Sequence, residues 1–155
     1  MAEIAEGQQA PQFEAPLGDG SHWRSADHAG KPLVVYFYPK DDTSGCTAEA
    51  LEFSRLKPDF EAAGAVVIGI SPDSATSHSK FSEKHGLVHH LGADEERKAI
   101  EAFGVWAEKS MYGKKYWGVD RSTFLIDREG RIAKTWRKVK VPGHAEDVLA
   151  AVKAL

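Results

Sequence analysis

Lys31-Pro-Leu-Val-Val-Tyr-Phe-Tyr38, running on into Pro39-Lys-Asp-Asp-Thr-Ser-Gly-Cys46-Thr-Ala-Glu49, decides how the chain folds. The first half is an unbroken apolar run rich in valine and aromatics, the pattern of a strand buried on both faces of a sheet. Pro39 has no amide hydrogen to give a ladder and ends the strand. Asp41, Asp42, Thr43, Ser44 and Gly45 make a polar turn, after which Ala48, Leu51, Phe53 and Leu56 recur as one face of an amphipathic helix. Cys46, the only cysteine in 155 residues, therefore falls in the first helical turn.

Working outward, residues 65–70 form a second apolar run that ends at Ser71-Pro72-Asp73, and residues 74–85 follow as a helix with Phe81 facing the core. Strand, helix, strand, helix predicts a parallel α/β sheet joined by right-handed crossovers. Ligands of such sheets lie beyond the carboxyl ends of the strands, and residues 39–46 lie at such an end. Residues 87–91 read as a short strand, 94–103 as a helix started by Asp94, and 111–118 as an aromatic loop packed over the domain. Residues 119–126 then make a strand carrying Arg121, 127–130 a hairpin turn, 131–139 its partner, and 144–155 a closing helix. Upstream, residues 10–17 and 21–23 flank the turn Gly18-Asp-Gly20 as a hairpin extension, 25–28 make one helical turn, and 1–9 are expected to be flexible. The pattern reaches a single α/β domain over residues 1–155.

Composition sets the outer limits. With 42% apolar and 28% charged residues the chain is an ordinary globular sequence, and a net charge of −3 gives no reason to expect nucleic acid or an anionic membrane as partner. No stretch approaches the ~20 apolar residues that span a bilayer. The acidic, polar start is unlike a secretory signal, and one cysteine forbids an internal disulfide, so the reducing cytoplasm is the expected compartment. The seven histidines form no metal set; His89 and His90 are adjacent and in a strand would point to opposite faces, so surface or loop positions are expected. No metal and no cofactor is expected.

A thiol in the first turn of a helix faces unpaired amide hydrogens that favour an anion. A free cysteine of pKa ~8.5 is only ~3% thiolate at pH 7, so complete ionisation raises its rate at most ~30-fold, about 2 kcal/mol. Ionisation alone makes a reactive thiol. Catalysis also requires groups that bind an electrophile and stabilise its leaving group. Thr43 stands three residues before Cys46, and its hydroxyl either donates to the sulfur or to a bound oxygen, or simply caps the helix.

Pro39, Thr43 and Cys46 reproduce Pro-x-x-x-Thr-x-x-Cys, and with it the chain resembles the peroxiredoxins, in particular their bacterioferritin-comigratory-protein, or PrxQ, group. The similarity continues through Val67-Ile-Gly-Ile-Ser-Pro-Asp-Ser74, Phe103-Gly-Val-Trp-Ala-Glu-Lys109, Tyr112-Gly-Lys-Lys-Tyr-Trp-Gly-Val-Asp-Arg-Ser-Thr-Phe-Leu-Ile-Asp127 and Trp136-Arg-Lys-Val-Lys-Val-Pro-Gly-His144. The resemblance implies a thioredoxin-like fold, a central mixed sheet flanked by helices with an N-terminal β-hairpin extension, and a monomer. It implies that Cys46 attacks hydrogen peroxide or a small alkyl hydroperoxide, that Arg121 folds back beside the sulfur, that Glu49 orients Arg121, that Pro39 shields the sulfur, and that amides around Gly45 and Cys46 stabilise developing charge.

Two positions depart from the group. Relatives carry a resolving cysteine five residues after the reactive one, here Leu51, or on the next helix, where the matching position is Ser82. Positions five apart in a helix are separated by ~7.5 Å along the axis, beyond disulfide reach, so a relative with the first arrangement must unwind the helix to react. The resemblance therefore implies a one-cysteine cycle whose sulfenic acid is reduced by an external thiol, thioredoxin or glutaredoxin with glutathione. A peroxide sensor or a holdase on the same fold is the alternative: a holdase needs no Arg121, and a sensor oxidises once without turnover.

Overall fold

The computed structural model describes residues 4–155. A short hairpin, β1 (Glu14–Pro16) and β2 (His22–Arg24), and one turn of 3-10 helix precede β3 (Leu33–Phe37). There follow α1 (Ser44–Ala62), β4 (Val66–Ser71), α2 (Ala75–His85), β5 (His90–Ala93), α3 (Lys98–Ala102), a second hairpin β6 (Trp106–Met111) and β7 (Lys114–Val119), β8 (Ser122–Ile126), β9 (Ile132–Trp136) and α4 (His144–Lys153). The main sheet has the order β5-β4-β3-β8-β9, parallel on the β4 and β5 side of β3 and antiparallel on the other. The β-α-β crossovers account for the parallel half and the β8–β9 hairpin for the antiparallel half, which gives the mixed sheet of a thioredoxin-like fold.

β3 is buried at every position because both of its faces are covered. Val34, Tyr36 and Tyr38 point to one side and pack with Phe53, Leu56 and Phe60 of α1, Phe81 of α2 and Val148 and Leu149 of α4. Leu33, Val35 and Phe37 point to the other and pack with Ile68 and Ile70 of β4, Ile100 of α3, Phe103, Phe124 and Trp23. The two-residue period of a strand thus assigns alternate residues to two separate cores. Tyr36 lies opposite Gly69 in the β3–β4 pair and stacks on Phe53 at 4.5 Å. Its ring occupies the space over Gly69: a Cβ there would stand 2.5 Å from Tyr36 Cζ.

Several expectations are corrected. Residues 111–118 are not a packed loop but part of the β6–β7 hairpin, whose aromatics reach outward, Tyr112 being 98% and Trp117 58% exposed. The helix expected over 94–103 is confined to α3; Asp94 lies outside it, buried, and its carboxylate accepts the amide of Ile100 in the first turn at 2.8 Å, while Arg97 holds the N-cap position with φ +60°. Of the nine residues expected to be flexible, Met1, Ala2 and Glu3 lie outside the described residues, while Gly7 donates to Ile132 O, Gln8 O accepts from Ile132 N, and Gln9 bridges to Arg131. His78, His89 and His144 are buried, not on the surface. His89 Nε2 lies 2.6 Å from the Tyr36 hydroxyl and Nδ1 2.7 Å from Ser54 Oγ; His144 Nε2 lies 2.7 Å from Thr123 Oγ1.

Two outcomes follow for stability. Gly69→Ala drives a methyl into the Tyr36 ring and lowers the unfolding free energy in urea by about 1–3 kcal/mol; an unchanged midpoint would show that the ring moves freely aside. Burial pushes His89 down to about 3 and His144 down to about 4, and it pushes Glu49 up to about 7. Burial lowers His28 and His90 as well, so between pH 6.5 and 4.5 the unfolded chain takes up histidine protons at four positions that the native chain binds less readily, and the native chain holds one Glu49 proton that the unfolded chain lacks. The histidines outnumber Glu49, so the unfolded side binds more protons and stability falls as pH falls. His89→Gln makes that dependence on pH shallower in urea titrations at pH 6.5, 5.5 and 4.5; a slope equal to the parent's would contradict it.

Candidate active site

α1 begins where the sequence places it, and Cys46 is its third residue. Thr43 precedes the helix in extended conformation, and its carbonyl accepts the first helical hydrogen bond, from Thr47 N at 2.8 Å. The amides of Ser44, Gly45 and Cys46 accordingly have no acceptor within the helix and face the turn that follows β3. Cys46 is free and 2% exposed. Its side chain belongs to the core between β3 and α1.

Arg121 arrives from the far side of the sheet. It stands between Val119, the end of β7, and Ser122, the start of β8, and its own carbonyl accepts the amide of Val139 at 3.0 Å. β8 lies beside β3, so a residue at the start of β8 stands next to the end of β3, where α1 begins. The guanidinium is shared: Nη2 donates to Cys46 Sγ at 3.3 Å and Nη1 to Glu49 Oε1 at 2.7 Å. Glu49 follows Cys46 by three residues, so both present to one face of α1. Burial works against the charge of Arg121, but Glu49 and Cys46 beside it hold its affinity for the proton above the ordinary value.

Glu49 is buried, and burial raises its carboxyl to about 7 against the pull of Arg121. Its second oxygen, Oε2, has no hydrogen-bond partner among the described residues. Gly45 has a steric part that its sequence position alone does not announce: a Cβ there would lie 3.2 Å from Arg121 Nη2. The missing side chain leaves the guanidinium room beside the sulfur. Lys109 of β6 is partly buried and feels both Arg121 and Cys46, with its ammonium lowered chiefly by burial. No sequence signal singles it out, since it alternates with polar and apolar neighbours in an exposed hairpin.

The structure thus brings Cys46, Glu49, Arg121 and Gly45 together, with Thr43 at the cap and Pro39 directly after the buried Tyr38. Thr43 differs from two of its expected uses. Its hydroxyl neither donates to the sulfur nor caps the helix with its side chain; it donates to Lys40 O at 2.8 Å. With its hydrogen so committed, Oγ1 offers lone pairs to the turn. Leu51 is half exposed on α1 and Ser82 half-buried on α2, and neither carries a thiol. Among the described residues no helix is long and apolar enough to cross a membrane.

The model of the AhpC/TSA family matches residues 6–135. Peroxiredoxin Bcp of Bacillus subtilis (strain 168) is 50% identical over 150 residues, which cover 97% of this chain and 96% of that protein. The bacterioferritin comigratory protein of Xanthomonas campestris, whose structures as a trapped intermediate and ligand complex bear on its alkyl peroxide reduction, superposes with a TM-score of 0.87 at 48% identity, covering 92% of this chain and 90% of that one. PrxQ of Xylella fastidiosa, with a serine in place of a cysteine, superposes with a TM-score of 0.94 at 40% identity over 99% of this chain and 98% of that one. Family match, identity over nearly the whole length and shared fold agree: the chain belongs to the AhpC/TSA family and is a peroxiredoxin of the Bcp, or PrxQ, group.

Proposed function

We propose that the chain is a one-cysteine, thiol-dependent peroxidase for hydrogen peroxide and small alkyl hydroperoxides, acting as a monomeric single domain in the cytoplasm. The observation that carries the reading is the Arg121 fork, which joins Cys46 Sγ to the buried carboxylate of Glu49. A cation fixed against a sulfur favours the thiolate and leaves the same donors aimed at whatever oxygen approaches it. The thiolate attacks the oxygen of the peroxide that bears hydrogen; a sulfur–oxygen bond forms, the oxygen–oxygen bond breaks, and the departing oxygen takes the proton to leave as water or alcohol. Thr43 Oγ1 accepts the peroxide O–H, its own hydrogen being held by Lys40 O. Arg121 and the free amides at Gly45 and Cys46 stabilise the negative charge that develops during the transfer. Glu49 orients Arg121, and Pro39 keeps water from the oxidised sulfur.

The sulfenate left on Cys46 has no partner within the chain, since Cys46 is its only cysteine. Once it takes a proton to become the sulfenic acid, an external thiol condenses with it to a mixed disulfide and water, and a second thiol reduces that disulfide and releases Cys46. Thioredoxin, or glutaredoxin with glutathione, supplies those thiols in this reading. That dependence on reducing partners supports a reducing compartment.

Stopped-flow oxidation of the reduced protein by a slight excess of hydrogen peroxide, with intact-mass analysis, tests the reading. Wild type gains one oxygen rapidly, and Arg121→Ala slows that step about 10²-fold, the cost of losing one charge-assisted donor at the transition state; wild-type oxidation no faster than a free thiol, and unchanged by the substitution, would sink the enzyme. With a large excess of peroxide and no reductant, Cys46 proceeds to the sulfinic acid, a gain of two oxygens, because no internal thiol intercepts the sulfenate. A product that stops at one oxygen under those conditions counts against the one-cysteine cycle.

A further inference from the structure

The turn that carries the proposed peroxide site is held from behind by α2. Asp41, buried, offers Oδ1 to the Tyr38 hydroxyl at 2.6 Å and Oδ2 to Ser77 Oγ at 2.8 Å and His78 Nδ1 at 2.7 Å. Its backbone amide donates to Asp73 Oδ2 at 2.8 Å, an oxygen that also accepts the Ser71 hydroxyl at 2.6 Å. His78 is buried as well, and its Nε2 lies 3.0 Å from Gly92 O in β5. A carbonyl only accepts, so Nε2 carries hydrogen; a carboxylate oxygen faces Nδ1, so a second proton lies between ring and carboxylate. The next residue, Asp42, has φ +59° and meets Lys84 Nζ at 2.6 Å and His85 Nε2 at 2.8 Å, both on α2.

Removing such a pair from water is costly, and well-packed apolar residues would give comparable stability without it. What a fully hydrogen-bonded buried pair adds is one geometry in place of several. Here the geometry concerns the backbone two residues before Thr43 and five before Cys46. The exposed Lys84–Asp42 pair is worth little by itself, so the buried pair is the principal restraint. The ligand atoms of Asp41, Asp73 and His78 lie within 4.8 Å of one another, as those of a cation site would. The hydrogens of Tyr38, Ser77, His78, Ser71 and the Asp41 amide already face those atoms, so the group reads as a hydrogen-filled clamp.

We infer that Asp41 and His78 are positioning residues of the peroxide site, their buried hydrogen bonds fixing the turn so that Thr43 Oγ1 and the free amides of α1 stand in line with the Cys46 sulfur. The inference rests on the peroxidase reading above. Neither side chain touches peroxide; both act through the turn. A displacement of the turn by about 1 Å is enough to cost about tenfold or more in a reaction that depends on alignment.

The test compares two reactions of Cys46 in wild type, His78→Leu and His78→Asn. Hydrogen peroxide oxidation by stopped flow depends on the aligned turn, whereas alkylation by iodoacetamide depends on the thiolate and its access alone. His78→Leu lowers the peroxide rate constant about tenfold while alkylation falls less than about threefold, and His78→Asn, whose amide N–H stands where Nδ1–H does, recovers most of the loss. Thermal melts establish that each variant is folded at the temperature used. Ser77→Ala removes one bond to the same carboxylate oxygen and lowers the peroxide rate about threefold, and it decides the matter should His78→Leu not fold. Peroxide rates equal to wild type, or equal losses in both reactions, overturn the clamp while leaving the peroxidase standing. A wild type that reacts with peroxide no faster than a free thiol overturns the peroxidase and the clamp together.

Discussion

The structure depends on one guanidinium shared between a sulfur and a buried carboxylate. Arg121 reaches Cys46 only because β8 lies beside β3 and delivers its first residues to the mouth of α1. The absence of a side chain at Gly45 leaves the guanidinium room there, since a Cβ would stand 3.2 Å from Nη2. It holds its angle because Glu49, one helical turn beyond Cys46, takes its other arm. Strand order, a glycine and an i+3 spacing are thus three conditions that meet in a single contact between elements far apart in the chain.

β3 carries a second theme. Tyr36 and Tyr38 lie on the same face, two residues apart, and the phenolic end of each is matched to a histidine from beyond the strand: Tyr36 to His89, and Tyr38, through Asp41, to His78. The rings fill the core against α1 while the hydroxyls need polar partners inside it. One of these polar chains ends in α1 at Ser54; the other ends at the turn before Cys46. The core is therefore apolar in volume but fixed at its edges by hydrogen bonds, which resist slippage in a way that dispersion contacts alone do not.

β3, α1 and the position of Cys46 were legible in the sequence because burial and helix-start chemistry act locally there. The same holds for β8 and β9, read from alternation across a turn. The β6–β7 hairpin was not, because its aromatics face water and its pairing is set by the chain ends that Val105 and Val119 bury, a tertiary matter. His89 looked like a surface residue because its partners, Tyr36 and Ser54, lie 53 and 35 positions away. The contribution of Gly45 to the site and the orientation of the Thr43 hydroxyl depend on distances of a few tenths of an ångström, which residue identity does not encode. The family resemblance supplied Arg121, which no local pattern could bring to Cys46.

The β6–β7 hairpin pairs with no other strand of the sheet, and an isolated two-stranded ribbon is marginal in water. Its base, however, is closed by Asp120 N donating to Val105 O at 2.8 Å, between two valines that are fully buried. Arg121 is the very next residue. The ribbon can therefore open and exchange its amide hydrogens on its own while the latch at its base holds the backbone one residue before Arg121, so that local unfolding of an exposed hairpin stops short of the strand that carries the site.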